Sequence, residues 1–164
     1  MSVEEALLAH LRHQNTAFEI LEHAHAQTSE EVALARGTPL QWGGKSLVLK
    51  LGKTASFAIF ALSGARKTNN RAIRKHLGVQ RLRFATPDEL LTLTGLTPGC
   101  VPPFGRPVFD LPLYVDAASA NQPRIAFSLG SHTRSALMAT PAYLQAARPQ
   151  GVFSFSQDET DPIE

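Results

Sequence analysis

Hydrophobic residues recur along the chain with two spacings, one typical of helices and one typical of strands. Apolar positions three or four apart predict helices at 3–14, 28–37, 69–77, 86–95 and 140–147. The side chains expected to cap them are, in order, Ser2, Thr28, Asn69 or Thr68, Thr86 and Thr140. Short runs rich in branched and aromatic residues predict strands at 18–23, 45–50, 56–62, 82–85, 113–116, 124–129, 135–138 and 152–155. The strands at 45–50 and 56–62 form the clearest hairpin. This mixture in this order predicts an α+β domain.

One stretch, residues 94–105, has neither spacing. It contains three glycines and three prolines in twelve residues, which excludes a helix interior or a central strand. We expect a rigid loop with exposed backbone groups, and rigid loops often carry small-molecule sites. Local composition alone fits a plain connector equally well. The upstream stretch Gly43-Gly44-Lys45, at the start of a predicted strand, is what favours a site.

Length and composition favour a single soluble, cytoplasmic domain. The chain has 164 residues, of which 43% are hydrophobic and 18% charged, so it can bury a core. It shows no run of about 20 apolar residues that could span a membrane, and its first residues do not resemble a signal peptide. The single cysteine, Cys100, excludes an internal disulfide. We place the domain at 1–156 and expect a frayed acidic tail at 157–164.

Charge is distributed unevenly although the net charge is only +2. No acidic residue occurs between Glu31 and Asp88, and this window holds eleven of the sixteen lysines and arginines. Arg71, Arg74 and Lys75 share one face of the predicted helix at 69–77. Such a face could be merely solvated, but contact with phosphates is a fair alternative.

Metal-binding signals are weak. His23 and His25 would share a strand face and could ligate one ion, but the sequence indicates no third ligand. The chain also has no GxGxxG, Walker, GxSxG or HExxH motif. We therefore expect no metal centre and no cofactor.

Candidate nucleophiles are equally poorly supported. Cys100 has no histidine near it in the sequence, so we expect a small buried side chain. Ser131, His132 and Asp116 are the right residue types for a catalytic triad. Adjacent residues such as Ser131 and His132, however, rarely adopt triad geometry.

Several landmarks in order resemble the YbaK/ProX family, which includes trans-acting editing proteins related to the insertion domain of prolyl-tRNA synthetase. The likeness covers nearly the whole chain, from Thr28 to about Phe155. Its landmarks are Thr28 with Glu31, Gly44-Lys45-Ser46-Leu47, Leu77-Gly78, the loop from Thr94 to Gly105, Val115-Asp116, and Gly130 after a strand.

The resemblance implies an α+β fold with a mixed, mostly antiparallel, barrel-like sheet and flanking helices. It implies hydrolysis of the ester of a mischarged aminoacyl-tRNA, typically proline tRNA, with prolyl-tRNA synthetase as a possible partner. In the family, the lysine that falls on Lys45 holds the tRNA 3′ end, and the glycine that falls on Gly99 places the substrate. Catalysis there relies on the substrate's own ribose hydroxyl and a water. Further substrate contacts are expected from Ser46, Thr28, Val101, Pro102, Gly130 and Ser131, and tRNA contacts from Arg71, Arg74 and Lys75.

The sequence departs from relatives that edit alanine. They commonly have Asn after the lysine and a His-Pro segment near Gly130, where this chain has Ser46 and Ser131-His132-Thr133. The edited amino acid therefore stays open among alanine, cysteine, serine and other small residues. Two other functions also remain: a tRNA-binding module without catalysis, and a small-molecule hydrolase using Ser131 or Cys100.

Overall fold

The computed structural model describes residues 1–162, so the last two residues of the predicted tail lie outside it. This part of the chain contains six α-helices and ten strands. In chain order they are α1 (Val3–His13), β1 (Glu19–Glu22), α2 (Ser29–Arg36), β2 (Gly44–Leu51), β3 (Phe57–Ser63), β4 (Arg66–Thr68), α3 (Asn70–Leu77), β5 (Leu82–Phe84), α4 (Pro87–Thr94), β6 (Leu113–Asp116), α5 (Ala117–Ala120), β7 (Arg124–Ser128), β8 (Arg134–Ala139), α6 (Thr140–Ala147), β9 (Gly151–Phe153) and β10 (Ser156–Asp158). The predicted helices and strands are all present, and β4, α5 and β10 are additional.

Side-chain caps begin the helices as the sequence predicted, with one exception. The side chains of Ser2, Thr28, Asn69 and Thr86 each accept a hydrogen bond from the backbone N–H three residues later. The exception is α6, where Ala139 occupies the cap position and Thr140 is already helical. The predicted cap by Thr140 is therefore wrong, because that side chain is buried in the first turn.

The strands of residues 1–162 form three sheets. The largest has the order β5-β2-β3-β6-β9, a second has β1-β8-β7, and the third pairs β10 with β4. Only the β3–β6 and β6–β9 pairings are parallel. The mixed, mostly antiparallel α+β fold is therefore confirmed. None of these sheets closes on itself, so the barrel-like description is not confirmed.

Strand β3 is the centre of the molecule because its two faces enter two different cores. Ile59 and Ala61 belong to a large core shared with α1, β7 and β8, whereas Phe60 and Leu62 belong to a smaller core with Ile73 and Phe155. This follows from the alternation of side chains along a strand.

The end of the chain is more ordered than the sequence suggested. We expected one strand at 152–155 and a frayed tail, but two short strands occur, and β10 pairs antiparallel with β4. The Arg66 guanidinium fixes this pairing, since it donates to Ser156 Oγ at 2.6 Å and to Asp158 Oδ1 at 2.9 Å. The boundary that we placed at residue 156 remains a prediction.

Candidate active site

A cleft of about 170 Å³ opens where α2, the start of β2, the end of β7 and the glycine-proline loop meet. It brings together four of the predicted site residues, Lys45, Ser46, Gly99 and Val101. The complete lining is Gln27, Ser29, Val32, Arg36, Gly43, Gly44, Lys45, Ser46, Leu47, Gly64, Gly99, Val101 and Ser128.

Lys45 reaches the cleft because β2 begins very close to β7. A β-bridge joins Gly43 to Ala126, and a Cβ atom on Gly44 would lie 2.7 Å from Ile125 Cδ1. Any larger residue at position 44 would therefore require the Ile125 side chain to move. The Lys45 side chain is 28% exposed, and its Nζ lies 3.5 Å from Glu159 Oε1, just after β10.

Gly99 forms the opposite wall of the cleft in a left-handed conformation, with φ at +86°. Its carbonyl oxygen accepts a hydrogen bond of 3.3 Å from Ser128 Oγ on β7. The loop is exposed around Gly99, as predicted, but residues 100–105 are buried. Apolar Val101 and Phe104 draw this half of the loop into the large core. The Tyr143 hydroxyl donates to the Pro103 carbonyl at 2.6 Å and holds it there.

Arg36 is a cleft residue that the sequence reasoning missed. It is the last residue of α2, and its guanidinium donates to Ser135 Oγ at 2.8 Å, to the Ala126 carbonyl at 3.3 Å and to Ser128 Oγ at 3.4 Å. Burial lowers the pKa of Arg36 to about 10. Its partners follow it by 90 residues or more, so no local pattern could reveal them.

The remaining predicted substrate residues lie elsewhere. Thr28 caps α2 and is exposed, although its neighbours Gln27 and Ser29 line the cleft. Pro102 is buried beside Val101. Gly130 and Ser131 line a separate depression beside the start of α1. Their roles in substrate binding remain predictions.

The candidate nucleophiles are arranged differently from the sequence expectation. Cys100 is buried as predicted, but a histidine does lie beside it, because His132 Nε2 is 3.3 Å from its Sγ. The ring of His25 lies 4.8 Å from that of His132. Asp116 takes no part, because its carboxylate accepts hydrogen bonds from the backbone N–H groups of residues 155 and 156 and from the Ser156 hydroxyl. Ser131, His132 and Asp116 therefore do not form a triad.

A basic depression lies at the far end of β2. Of the three cations predicted to contact tRNA, Arg74 lines it, and Arg71 and Lys75 do not. The other cations there are Lys50, Lys53, Arg81 and Arg83.

Within residues 1–162, no group of three or more histidine, cysteine, aspartate or glutamate side chains could hold a metal ion. No helix in the same range is long and apolar enough to cross a membrane.

The sequence and the fold correspond to a known class of protein. The sequence model of the family described as an aminoacyl-tRNA editing domain matches residues 23–146, which is most of the chain. The chain belongs to this family, as the sequence predicted.

Two curated relatives and one solved structure show which proteins of this class the chain is similar to. The chain is 30% identical over 152 residues to the multifunctional Ser/Thr-tRNA deacylase ProXp-y of Escherichia coli K12, covering 89% of both proteins. It is 27% identical over 121 residues to a proline–tRNA ligase of Staphylococcus epidermidis, covering 70% of this chain but 20% of the ligase. A solved structure of a putative trans-editing enzyme for prolyl-tRNA synthetase shares the fold, with a TM-score of 0.81 at 24% identity, covering 96% of this chain and 98% of that one.

Proposed function

We propose that this chain is an aminoacyl-tRNA deacylase, which hydrolyses the ester between a wrongly attached amino acid and its tRNA. The observation that carries the proposal is the meeting of Lys45 and Gly99 across one cleft in a member of the editing family. The E. coli relative that aligns with 89% of the chain is itself a tRNA deacylase.

The cleft lining supports a mechanism without a protein nucleophile. Among residues 1–162, no histidine, cysteine, aspartate or glutamate lines the cleft, so it presents no imidazole, thiol or carboxylate to act as a nucleophile or general base. We infer that a water, assisted by the vicinal ribose hydroxyl of the substrate, attacks the ester carbonyl. The new bond joins the water oxygen to the carbonyl carbon, the ester bond to the ribose oxygen breaks, and a proton returns to that oxygen.

Lys45 and Gly99 have separate roles in this proposal. Lys45 holds the tRNA 3′ end by attraction to its phosphate, and a backbone N–H of the loop at Gly99 stabilises the oxyanion that develops on the carbonyl. The left-handed backbone at Gly99 is held by Ser128, so such a donor would be positioned before the substrate binds.

Small side chains around the cleft favour a small amino acid. Gly43, Gly44, Ser46, Gly64 and Gly99 leave room for alanine, cysteine or serine while a bulky side chain would meet the walls. The name of the E. coli relative adds threonine to these candidates. We propose proline tRNA as the carrier, prolyl-tRNA synthetase as a possible partner, and the cytoplasm as the location.

The test is deacylation of proline tRNA carrying alanine, cysteine, serine or threonine. We expect turnover of at least one substrate, and we expect Lys45→Ala to lower kcat/KM for it by about tenfold or more, since a charge-assisted contact is lost. Arg106→Ala removes one positive charge at an exposed position paired with Asp110, and it should retain activity.

Other outcomes would favour the competing functions. Salt-sensitive tRNA binding without turnover would indicate a binding module. Complete loss of activity in a folded Cys100→Ala or Ser131→Ala variant would replace the substrate-assisted mechanism with a protein nucleophile.

A further inference from the structure

The guanidinium of Arg36 is half-buried beside the cleft without a negatively charged partner. Its three hydrogen-bond acceptors, the hydroxyls of Ser135 and Ser128 and the carbonyl of Ala126, are all neutral. Within residues 1–162 no carboxylate lies within ion-pair distance of it. Two of its five N–H groups are left without an acceptor in that range.

Removing a cation even partly from water without a counter-charge costs free energy, which a ligand of opposite charge can offset. Burial is the cause of the lowered pKa of Arg36, but a pKa of about 10 still leaves the group charged at neutral pH. Three neutral acceptors hold the guanidinium in place without cancelling its charge. The positive potential of Arg36 is therefore available to a ligand in the cleft that it lines.

The other residues that line the cleft leave the positive charge of Arg36 without a competing acidic group. Its lining has two cations, Lys45 and Arg36, and no aspartate or glutamate among the described residues. Lys45 already faces the carboxylate of Glu159 at 3.5 Å. Arg36 is thus the lining cation without an acidic neighbour in the described chain.

We propose that Arg36 is an anion-binding residue of this cleft and that its ligand is a phosphate group attached to a nucleoside. A planar guanidinium matches the oxygens of a phosphate with two N–H groups, which a lysine cannot do. This choice of ligand rests on the proposed function. An aminoacyl ester has no free carboxylate, so the anion nearest to it is the phosphate of the terminal nucleotide.

Arg36 is also connected to the opposite wall. Ser128 Oγ accepts from Arg36 Nη2 and donates to the Gly99 carbonyl. A phosphate bound at Arg36 would therefore be fixed relative to the loop at Gly99. Ser46, which also lines the cleft, has a buried hydroxyl without a partner in the described chain, and it is a further donor for the same group.

The experiment compares the affinity of the protein for adenosine and for adenosine 5′-monophosphate by calorimetric or NMR titration. We expect the wild type to bind the monophosphate about tenfold more tightly, the scale of one charge-assisted contact. Arg36→Gln should reduce this preference several-fold and leave only the part that Lys45 contributes to the same phosphate. Arg36→Lys should retain more of the preference, because the positive charge stays while the two-pronged guanidinium is lost. Inorganic phosphate should compete with the monophosphate and leave adenosine binding unchanged.

Arg106→Gln, at an exposed arginine paired with Asp110, is the matched control and should keep the full preference. Equal affinity of the wild type for both ligands would overturn the proposal. The proposal would also be overturned if the preference for the monophosphate persisted in Arg36→Gln and were lost only in Lys45→Ala. If Arg36 only ties α2 to β7 and β8, its variants will melt at lower temperature with the preference intact, and the proposal fails.

Folding is checked by thermal unfolding of each variant. If Arg36→Gln does not fold, Arg36→Lys tests the proposal, because the proposal requires that this variant also prefer the monophosphate over adenosine less strongly than the wild type does. No ester is present in these titrations. If the protein prefers the monophosphate through Arg36 but hydrolyses no aminoacyl-tRNA, the role of Arg36 is supported and the proposed function is wrong.

Discussion

At the scale of single residues, Tyr143 has the most clearly defined structural role near the site. Its ring packs against Phe104 and Phe127, and its hydroxyl donates to the Pro103 carbonyl in the loop that follows Gly99. Tyr143→Phe should destabilise the protein by about 1–3 kcal/mol, because a buried carbonyl loses its donor. Urea unfolding at pH 7 measures this change.

The ionisation of Tyr143 should lower the stability of the folded protein at alkaline pH. Burial raises the pKa of Tyr143 above its ordinary value of 10.0. Its contribution to stability is therefore complete below the pKa of the unfolded chain, near 10, and is lost as the pH rises above that value. Tyr143→Phe should show a smaller loss than the wild type between pH 9 and 11. Tyr114→Phe, at the other tyrosine, is the control. If the free energy of unfolding of Tyr143→Phe falls with pH as steeply as that of the wild type, Tyr143 is not the source of the alkaline loss of stability.

Sequence reasoning found some site residues and missed others for a physical reason. Lys45 and Gly99 stand in local patterns, a strand start after two glycines and a glycine-proline loop, and both line the cleft. Arg36 and the Cys100–His132 contact depend on segments far apart in the chain. Such contacts are set by how the sheets pack, which no short stretch of sequence encodes.

At the scale of elements, the start of α4 shows how a helix end is tied to a neighbouring strand. Thr86 and Glu89 form a complete capping box, and the Glu89 carboxylate also accepts two hydrogen bonds from Arg83 on β5. The hydrogen bond from Arg83, followed by that from the Thr86 backbone, lowers the pKa of Glu89 from 4.5 to about 2. The charged form of Glu89 therefore stabilises the folded state.

This contribution should be present above about pH 4.5 and lost as the pH falls from 4.5 to 2. Glu89→Gln keeps an acceptor for the Thr86 N–H but has no charge to titrate, so its stability should change less over that range. Urea unfolding from pH 2 to 6 tests the prediction. Asp88→Asn, one residue earlier in the same turn, is the control and should follow the wild type.

Element prediction failed where short strands are polar. The strands β4 (Arg-Lys-Thr) and β10 (Ser-Gln-Asp) have three residues each and no apolar side chain, and Arg66 joins them by binding Ser156 and Asp158. The equally short β5 and β9 were predicted because they contain branched or aromatic residues. Longer elements with caps, such as α1, α2 and α4, were predicted because their ends are specified locally.

At the scale of the whole molecule, the acidic end of the chain returns to the cleft and places Glu159 beside Lys45. If Lys45 attracts phosphate, Glu159 competes with the substrate for it. Glu159→Gln should lower the KM for aminoacyl-tRNA by about two- to fivefold at low salt, since exposed ion pairs contribute at most about 1 kcal/mol. Glu19→Gln removes one negative charge from a distant exposed pair with Arg124 and should not change KM. An equal effect in both variants would show that only net charge matters.

The parallel pairing of β3 with β6 has a consequence for how the chain folds during its synthesis. About fifty residues separate these strands, and β9, which completes the sheet, comes later still. Until β6 has left the ribosome, β3 has an open edge and two apolar faces, which favours association with other chains. Pairings of such long sequence separation form slowly, so we expect this step to limit the folding rate. The interval between the emergence of β3 and the emergence of β6 from the ribosome is thus when the growing protein most needs protection from aggregation.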